Sequence, residues 1–184
     1  MATESFKEFK KVSEELIHSE DWFSFAVAEF EGPVGERIDR YIFHHPGAVG
    51  VVPIEDGKIV LVRQYRPALE MEMLEIPAGK LDVEGEEPEK AAHRELIEEA
   101  GLDASRLEEL CSFYNSAGFS DEKTVIYLAT EMTRVEKMAA SIEEQYMTTE
   151  RVPLEEVLEM IDSGYITDAK TIIGIYSAMR RIGK

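Results

Sequence analysis

Short runs of apolar residues, separated by polar and turn-forming residues, organise the N-terminal part of the chain. Aromatic and β-branched residues dominate 22–30 and 37–43, and the Gly- and Pro-rich segment between them predicts a turn. These two runs are therefore predicted to form a β-hairpin. Residues 4–20 are polar with spaced apolar positions, and two interpretations stay open: a short helix that begins near Ser5, or a strand that opens near Leu16.

A second group of elements begins at Gly47, where the pattern changes. Apolar runs and turn signals predict strands at 48–54, 59–63, 73–76, 107–114, 124–130 and 146–152. Helices are predicted at 88–100, at 154–163 and in a C-terminal segment capped by Thr167. This order favours an α/β (α+β) sandwich over a regular βαβ repeat. The predicted organisation is an N-terminal β-hairpin subdomain, 1–46, and a larger domain, 47–184.

The composition is that of a globular protein with an acidic surface. The 184 residues are 44% hydrophobic, enough for one sizeable core, and the formal net charge is −18. This charge repels phosphate backbones and anionic lipid, so we expect no nucleic-acid or membrane binding, and an anionic ligand needs local cations or metal ions. The single cysteine excludes an internal disulfide. No long apolar run and no signal-peptide pattern is present, which predicts a cytoplasmic protein.

The most informative segment is the helix predicted at 88–100. At about 100° per residue, Glu95, Glu98 and Glu99 share one side of this helix, where like charges destabilise it by roughly a few tenths of a kcal/mol per pair. One interpretation is a solvated acidic face, the usual fate of a Glu-rich helix. The other is a site for a hard divalent cation such as Mg²⁺, which prefers carboxylate, water and phosphate oxygens. The spacing alone does not decide between them.

The segment from Gly79 to Leu102 resembles the Nudix box, G-x5-E-x7-R-E-U-x-E-E-x-G-U, in which U is aliphatic. The matching residues are Glu86, Arg94-Glu95-Leu96, Glu98-Glu99 and Gly101-Leu102. Six residues, not five, separate Gly79 from Glu86, which keeps the helix register but leaves the role of Gly79 open. Because so many typed positions agree in one window, the resemblance favours the metal site over the solvated face.

Other segments are similar to the ADP-ribose pyrophosphatase branch of the Nudix superfamily: His45-Pro46-Gly47-Ala48-Val49, Arg63-Gln64-Tyr65-Arg66, Glu75-Ile76-Pro77-Ala78-Gly79 and Ser116-Ala117-Gly118-Phe119-Ser120-Asp121-Glu122. The resemblance implies the Nudix α/β/α sandwich around a mixed sheet, with an N-terminal β-subdomain. Members of this branch are typically homodimers in which that subdomain helps to build the partner's site. The aromatic hairpin here also has more apolar surface than a β-ribbon easily buries, so we expect a homodimer.

The activity that this resemblance implies is Mg²⁺-dependent hydrolysis of the diphosphate of ADP-ribose to AMP and ribose 5-phosphate, with Mn²⁺ able to substitute. The box handles only the diphosphate, so another nucleotide-sugar or dinucleotide, such as GDP-mannose or NADH, stays open as the substrate. A non-catalytic, Nudix-like nucleotide-binding regulator is the alternative from a different class. The intact Glu95, Glu98 and Glu99 argue against that alternative.

The family pattern assigns metal ligation to the box and to the residues just before it. The implied ligands are the side chains of Glu86, Glu95, Glu98 and Glu99 and the carbonyl of Ala78. Arg94 carries a positive charge and cannot ligate a cation, so it is expected to align a box carboxylate. The alternative for Arg94 is a plain surface pair with Glu98.

Substrate binding needs groups outside the helix. Arg66 is the predicted diphosphate ligand, because a guanidinium binds phosphate in a bidentate manner; the alternative is an ordinary strand-end arginine. Gly118 and Phe119 would present their backbone to the substrate, with Glu122 nearby. The alternative for these three residues is a simple turn between strands.

The general base is not obvious within the box, because metal-bound carboxylates are poor bases. The resemblance places it in an acidic loop after the box, which is 136–144 in this chain. Glu144 is the favoured base and Glu143 the next candidate. The alternative for either residue is a solvated loop carboxylate.

Overall fold

The computed structural model describes residues 8–138 and 141–183. The chain divides into two compact units after Pro46. The segment Ser116–Glu122 belongs to the N-terminal unit. Of the helices that these residues form, none has the length and apolar character needed to cross a membrane.

The N-terminal unit is a three-stranded antiparallel sheet in the order β1-β2-β3, formed by β1 (Lys10–Ser19), β2 (Ser24–Glu31) and β3 (Arg37–His44). The predicted hairpin is confirmed as the β2–β3 pair. Of the two interpretations of 4–20, the strand is correct over the described part, but it begins at Lys10, before the expected Leu16, because β1 pairs with β2 from that residue. Ser5 lies outside the described residues. The segment Ser116–Glu122 joins this unit through a parallel bridge between Phe43 and Ser120.

The second unit contains a seven-stranded mixed sheet, with the path β10-β5-β4-β9-β8, to which β6 adds at β5 and β7 at β4. Its strands are β4 (Ala48–Glu55), β5 (Lys58–Arg66), β6 (Met71–Glu75), β7 (Ala78–Lys80), β8 (Leu102–Tyr114), β9 (Lys123–Arg134) and β10 (Thr148–Pro153). Its helices are α1 (Pro88–Ala100), α2 (Ile142–Tyr146), α3 (Leu154–Asp162) and α4 (Ala169–Arg181). The β4–β9 pair is parallel and the other pairs are antiparallel.

Helices cover both faces of this sheet. Strand β4 alternates between the two cores: Val49 and Val51 pack in the cluster that includes Leu96 of α1, and Val52 packs in the cluster that includes Val157 of α3 and residues of α4. Each such buried aliphatic side chain contributes about 1.5–3 kcal/mol. The sequence pattern of β4 is accordingly a continuous apolar run, as expected for a strand buried on both sides. The predicted α/β/α sandwich is confirmed.

Several element boundaries differ from the prediction, and three of the differences have a clear local reason. The cap of α4 is Asp168, not Thr167, because the Asp168 carboxylate accepts from the Thr171 backbone N–H. Strand β8 begins at Leu102, five residues before the predicted strand, because it pairs with β9 from that point. The predicted strand 146–152 begins later, at Thr148, because Tyr146 ends α2.

The boundaries of α1 match the prediction at both ends. Pro88 is the first helical residue, where its missing N–H costs nothing. Gly101 follows the helix with φ of 64°, a left-handed conformation that glycine adopts readily, and its N–H bonds to carbonyls of the last turn. The helix packs against β4, β7 and β8, which fixes the direction of its acidic side chains.

Candidate functional site

Helix α1 carries the acidic residues of the box into a partly buried position. Ala91, Ala92 and Leu96 pack against the sheet and set the rotation of the helix. This rotation buries Glu95 and Glu99, which retain only 8% and 4% of their accessible surface. A solvated acidic surface would leave both carboxylates exposed, so this face is not one, and carboxyls buried to this extent need partners or lose their charge.

Arg94 is the common partner of three box carboxylates. Its Nη1 donates to Glu95 Oε1 at 2.6 Å and to Glu98 Oε2 at 3.0 Å. Its Nε and Nη2 donate to Glu86 Oε1 and Oε2, at 3.2 and 3.0 Å. One cation thus aligns three anions, and these hydrogen bonds, chiefly those to Glu86, raise the pKa of Arg94. Three carboxylates and one guanidinium together keep an excess of negative charge.

Glu99 stands apart from Arg94 and is held by backbone. Its Oε2 accepts from the Ala78 N–H at 2.9 Å. Burial, with a smaller contribution from the charge of Glu95, raises the pKa of Glu99 to about 8. Burial likewise raises the pKa of Glu95, against the opposing effect of Arg94, and the charges of Glu98 and Glu144 add to this rise. Burial and the neighbouring carboxylates therefore work against the charged forms of Glu95 and Glu99.

Gly79 has a role that the sequence left open. A side-chain carbon on this residue would overlap the carboxylate carbon and both oxygens of Glu95. Gly79 lies in β7, opposite Val49 of β4, so its backbone cannot easily move away. Glycine at this position therefore makes room for the Glu95 carboxylate beside the strand.

The donor set suits a hard divalent cation. Every candidate ligand is a carboxylate oxygen or a backbone carbonyl, which Mg²⁺ prefers over nitrogen or sulfur. A bound cation would favour the charged forms of Glu95 and Glu99, which burial disfavours, as the raised pKa values of both carboxyls indicate. Within 8–138 and 141–183, no three His, Cys, Asp or Glu side chains already converge as a metal cluster. Glu86, Glu95 and Glu98 converge instead on Arg94.

Arg66 is bound to a carboxylate that the sequence analysis did not single out. Its Nε and Nη2 donate to the two carboxylate oxygens of Glu75, which is fully buried at the end of β6. Lys170 of α4 donates to the same carboxylate. The charges of Arg66 and Lys170 also oppose the rise in the pKa of Glu99, so both cations lie within electrostatic reach of the box. The one local signal in the sequence that could have identified Glu75 as functional is its position as a polar residue at the end of a buried strand. No such signal existed for Lys170.

Helix α2 brings the predicted base within electrostatic reach of the box. Glu144 is half-buried, α2 packs against β5, and the charge of Glu144 contributes to the raised pKa of Glu95. Ser141 caps α2 by accepting from the Glu144 N–H at 3.2 Å and donating to Glu144 Oε1 at 2.8 Å. Lys137 Nζ donates to the carbonyls of Glu144 and Met147. Glu143, by contrast, lies exposed in the first turn of α2.

The remaining predicted substrate contacts belong with the N-terminal unit. Phe119 accepts a hydrogen bond from the Phe43 N–H through its carbonyl, at 2.8 Å, and its ring is exposed. Its own N–H bonds to the Ser116 carbonyl, as in a turn. The Glu122 N–H donates to Ser120 Oγ, and a side chain at Gly118 would meet open space. Substrate contact by these residues stays a prediction.

The chain is similar to known proteins along most of its length. Residues 44–172 match the family model of the NUDIX domain. The chain is 41% identical to the ADP-ribose pyrophosphatase of Bacillus subtilis (strain 168) over 169 residues, which cover 91% of each protein. With the same coverage, it is 40% identical to the methanol dehydrogenase activator of Bacillus methanolicus. The crystal structure of an ADP compounds hydrolase has a TM-score of 0.86 at 21% identity, covering 98% of this chain and 97% of its own, which shows a shared fold.

Proposed function

We propose that this chain, which belongs to the Nudix family, hydrolyses the diphosphate bond of ADP-ribose to AMP and ribose 5-phosphate with Mg²⁺ as its cofactor. The observation that carries the proposal is the acidic face of α1, on which Glu95 and Glu99 are buried close to one another and burial raises the pKa of both carboxyls. Similarity to the ADP-ribose pyrophosphatase of Bacillus subtilis supports ADP-ribose as the substrate.

Glu95, Glu98 and Glu99 would hold the cations, with Glu86 as a further ligand or as support. When bound, Mg²⁺ (or Mn²⁺) would neutralise the phosphoryl oxygens and lower the pKa of water. Ala78 donates its N–H to Glu99, which places its backbone beside the ligands and supports the proposed contact of its carbonyl with metal.

Arg94 would position the ligands without touching the cation. Its four hydrogen bonds to Glu86, Glu95 and Glu98 fix the carboxylates against their mutual repulsion. Partners that orient metal ligands in this way are often worth 10–100-fold in metal affinity or activity, roughly, when they are removed.

Glu144 is the proposed general base, with Glu143 as the second candidate. Its electrostatic effect on Glu95 supports a position close enough to accept the proton of an attacking water. The capping interaction with Ser141 would hold the carboxylate in place, although it also gives Glu144 a structural role. An experiment must therefore separate capping from catalysis.

Arg66 is the proposed diphosphate ligand. The bidentate pair with Glu75 uses Nε and Nη2, and Nη1 belongs to the other edge of the guanidinium. The side chain remains 38% exposed, so it is accessible to an anionic substrate. Gly118, Phe119 and Glu122 are proposed to assist binding on the strength of the sequence resemblance alone.

A regulatory function is the second candidate, because the methanol dehydrogenase activator of Bacillus methanolicus is almost as similar to this chain as the pyrophosphatase. The proposed regulator would bind a nucleotide without turnover. The substrate therefore needs a direct measurement.

We also propose a homodimer formed through the N-terminal sheet. Strand β1 is exposed along its whole length and carries Leu16 and Ile17, while Tyr41 of β3 is 61% exposed. Exposed apolar side chains of this density on one small sheet are typical of an interface. A cytoplasmic location remains our expectation from the sequence.

The test is a panel of ADP-ribose, NADH, GDP-mannose and nucleoside triphosphates with Mg²⁺. For the first three, a phosphatase releases phosphate from the monoester products; for the triphosphates, products are separated by chromatography. The highest kcat/KM on ADP-ribose, with AMP and ribose 5-phosphate as products, supports the proposal. A higher value on NADH or GDP-mannose reassigns the substrate, and binding without turnover throughout the panel favours the regulator.

A further inference from the structure

Two cations from distant parts of the chain meet on the buried carboxylate of Glu75. Arg66, at the end of β5, donates from Nε to Oε1 at 2.7 Å and from Nη2 to Oε2 at 2.5 Å. Lys170, in the first turn of α4, donates to the same Oε2. A bidentate arginine already supplies a full opposite charge and two hydrogen bonds. The second cation therefore requires a separate explanation.

The start of α4 fixes Lys170 in place. The Asp168 cap accepts from the Thr171 N–H and from Lys170 Nζ, both at 2.9 Å. Thr171 Oγ1 in turn accepts from the backbone N–H of Ile76 at 2.9 Å, directly after Glu75. The Lys170 side chain is 15% exposed, so this arrangement lies largely away from solvent. The first turn of α4 thus holds both the backbone and the side chain at the end of β6.

Arg66 differs from Lys170 because its side chain is 38% exposed. Its orientation follows the plane of the Glu75 carboxylate, since a bidentate pair is coplanar. A carboxylate held only by Arg66 could rotate together with the guanidinium. A carboxylate that is also held by Lys170 cannot rotate without breaking a buried ion pair, which is strongly unfavourable.

We infer that Lys170 is a positioning residue for substrate binding: it holds Glu75 in the orientation that directs Arg66 at the diphosphate. The inference rests on the substrate-binding role proposed above for Arg66. It assigns α4, far from the box in sequence, a part in substrate affinity. The competing explanations are that Lys170 contacts phosphate itself or that it serves only the stability of the fold.

A double-mutant cycle separates these explanations. Lys170→Met, Arg66→Ala and the double variant are compared for KM and kcat on ADP-ribose, and for the dissociation constant of ADP-ribose in chelator by calorimetry. Lys170→Met should raise KM and the dissociation constant about tenfold with kcat little changed, and Lys170→Arg should restore most of the affinity. In the Arg66→Ala background, Lys170→Met should add less than about twofold, because residues that act as a unit are non-additive. Lys58→Met, at an exposed lysine of β5, is the control.

Three results would overturn the inference. Effects of Lys170→Met and Arg66→Ala that multiply would show direct contact of Lys170 with phosphate. A lower melting temperature of Lys170→Met with an unchanged KM and dissociation constant would show that Lys170 serves stability alone. Loss of the native circular dichroism in both Lys170→Met and Lys170→Gln would show the same.

Failure of the proposed function gives a different result. A wild-type protein that binds ADP-ribose without hydrolysing it contradicts the proposed function, and the Lys170 comparison is then read from the dissociation constants. If the wild-type protein does not bind ADP-ribose, both the proposed function and the inference about Lys170 are overturned.

Discussion

Glu95 places its carboxylate in the space that a side chain on residue 79 would occupy, so Gly79 and Glu95 fit together only because residue 79 has no side chain. The strand carrying Gly79 is paired with β4 and the helix carrying Glu95 is packed on the same sheet. Neither can retreat without disturbing the core. The box glycine is thus a packing partner of a proposed metal ligand.

Gly79→Ala is expected to displace the Glu95 carboxylate and to lower kcat/KM by up to about 100-fold, because a misplacement of about 1 Å can cost this much in rate. The stabilisation of the protein by Mg²⁺ in thermal unfolding should shrink as well. Gly57→Ala is the contrast: its φ of 71° strains an alanine, but a side chain there meets open space. The Gly57→Ala variant should lose stability and keep its stabilisation by Mg²⁺. A Gly79→Ala enzyme with a normal kcat/KM would contradict the proposed packing role of Gly79.

Mg²⁺ binding should become tighter as pH rises from about 6 to 8. The pKa of Glu99 is raised to about 8, so most of this carboxyl is protonated at neutral pH, and a metal ligand must lose its proton. Calorimetry in buffers of different ionisation enthalpy should detect proton release on binding. A pH-independent affinity without proton release would contradict a Glu99 ligand that is protonated before the cation binds.

Turnover should require these carboxylates and the metal together. Excess chelator is expected to abolish hydrolysis, and Glu98→Gln is expected to lower kcat by orders of magnitude with an unchanged fold. Glu89→Gln, an exposed glutamate of the same helix, is the matched control and should behave as wild type.

Substrate binding and water activation should give different kinetic effects. Arg66→Ala should raise KM, because it removes a contact already made in the ground state. Glu144→Gln should lower kcat by about 10²–10⁴-fold with little change in KM, because a glutamine still fits the capping interaction but cannot accept the proton. Ser141→Ala is the matched control, since it removes the cap and retains the carboxylate. If Glu144→Gln combined with Glu143→Gln keeps near-normal kcat, α2 is not the source of the base.

Glu75 should make the protein sensitive to acid. Burial alone would raise its pKa, but the hydrogen bonds and charges of Arg66 and Lys170 outweigh burial and hold the pKa below its ordinary value of 4.5. A depressed pKa contributes stability that is present above the unfolded value and is lost as pH falls through the folded value. Glu75→Gln should therefore cost about 3 kcal/mol near pH 7 and progressively less below pH 4.5, as measured by urea unfolding. Glu84→Gln, at an exposed position, should show no such pH-dependent difference.

The N-terminal sheet should mediate dimerisation. Light scattering should give a dimer for the wild type at micromolar concentration and a monomer for the double variant Leu16→Ser and Tyr41→Ser. Val34→Ser, at the more exposed turn between β2 and β3, is the control and should remain dimeric. An active, stable wild-type monomer would contradict the proposed interface.

Local signals determined much of this protein from the sequence. The bounds of α1 follow from Pro88 and Gly101, because both act on the backbone of their own turn. The strands of the sheet follow from short apolar runs, and the spacing of Glu95, Glu98 and Glu99 follows from helical periodicity. The cap formed by Ser141 and Glu144 was equally local, since the two residues are three apart, but the resemblance to the family led to a prediction of a loop over 136–144.

Only the tertiary structure decided how these pieces act on one another. Glu75 and Lys170 are 95 positions apart, and they meet because β6 pairs with β5 while the first turn of α4 bonds to the end of β6. The pKa of Glu99 depends on burial by the sheet, which no spacing along a helix reports. The role of Gly79 depends on a carboxylate from another element. Residue type and periodicity determine on which face of its own helix or strand a side chain lies. Long-range packing determines which charged side chains are buried together at a low dielectric constant. Their protonation states and their partners depend on this shared burial.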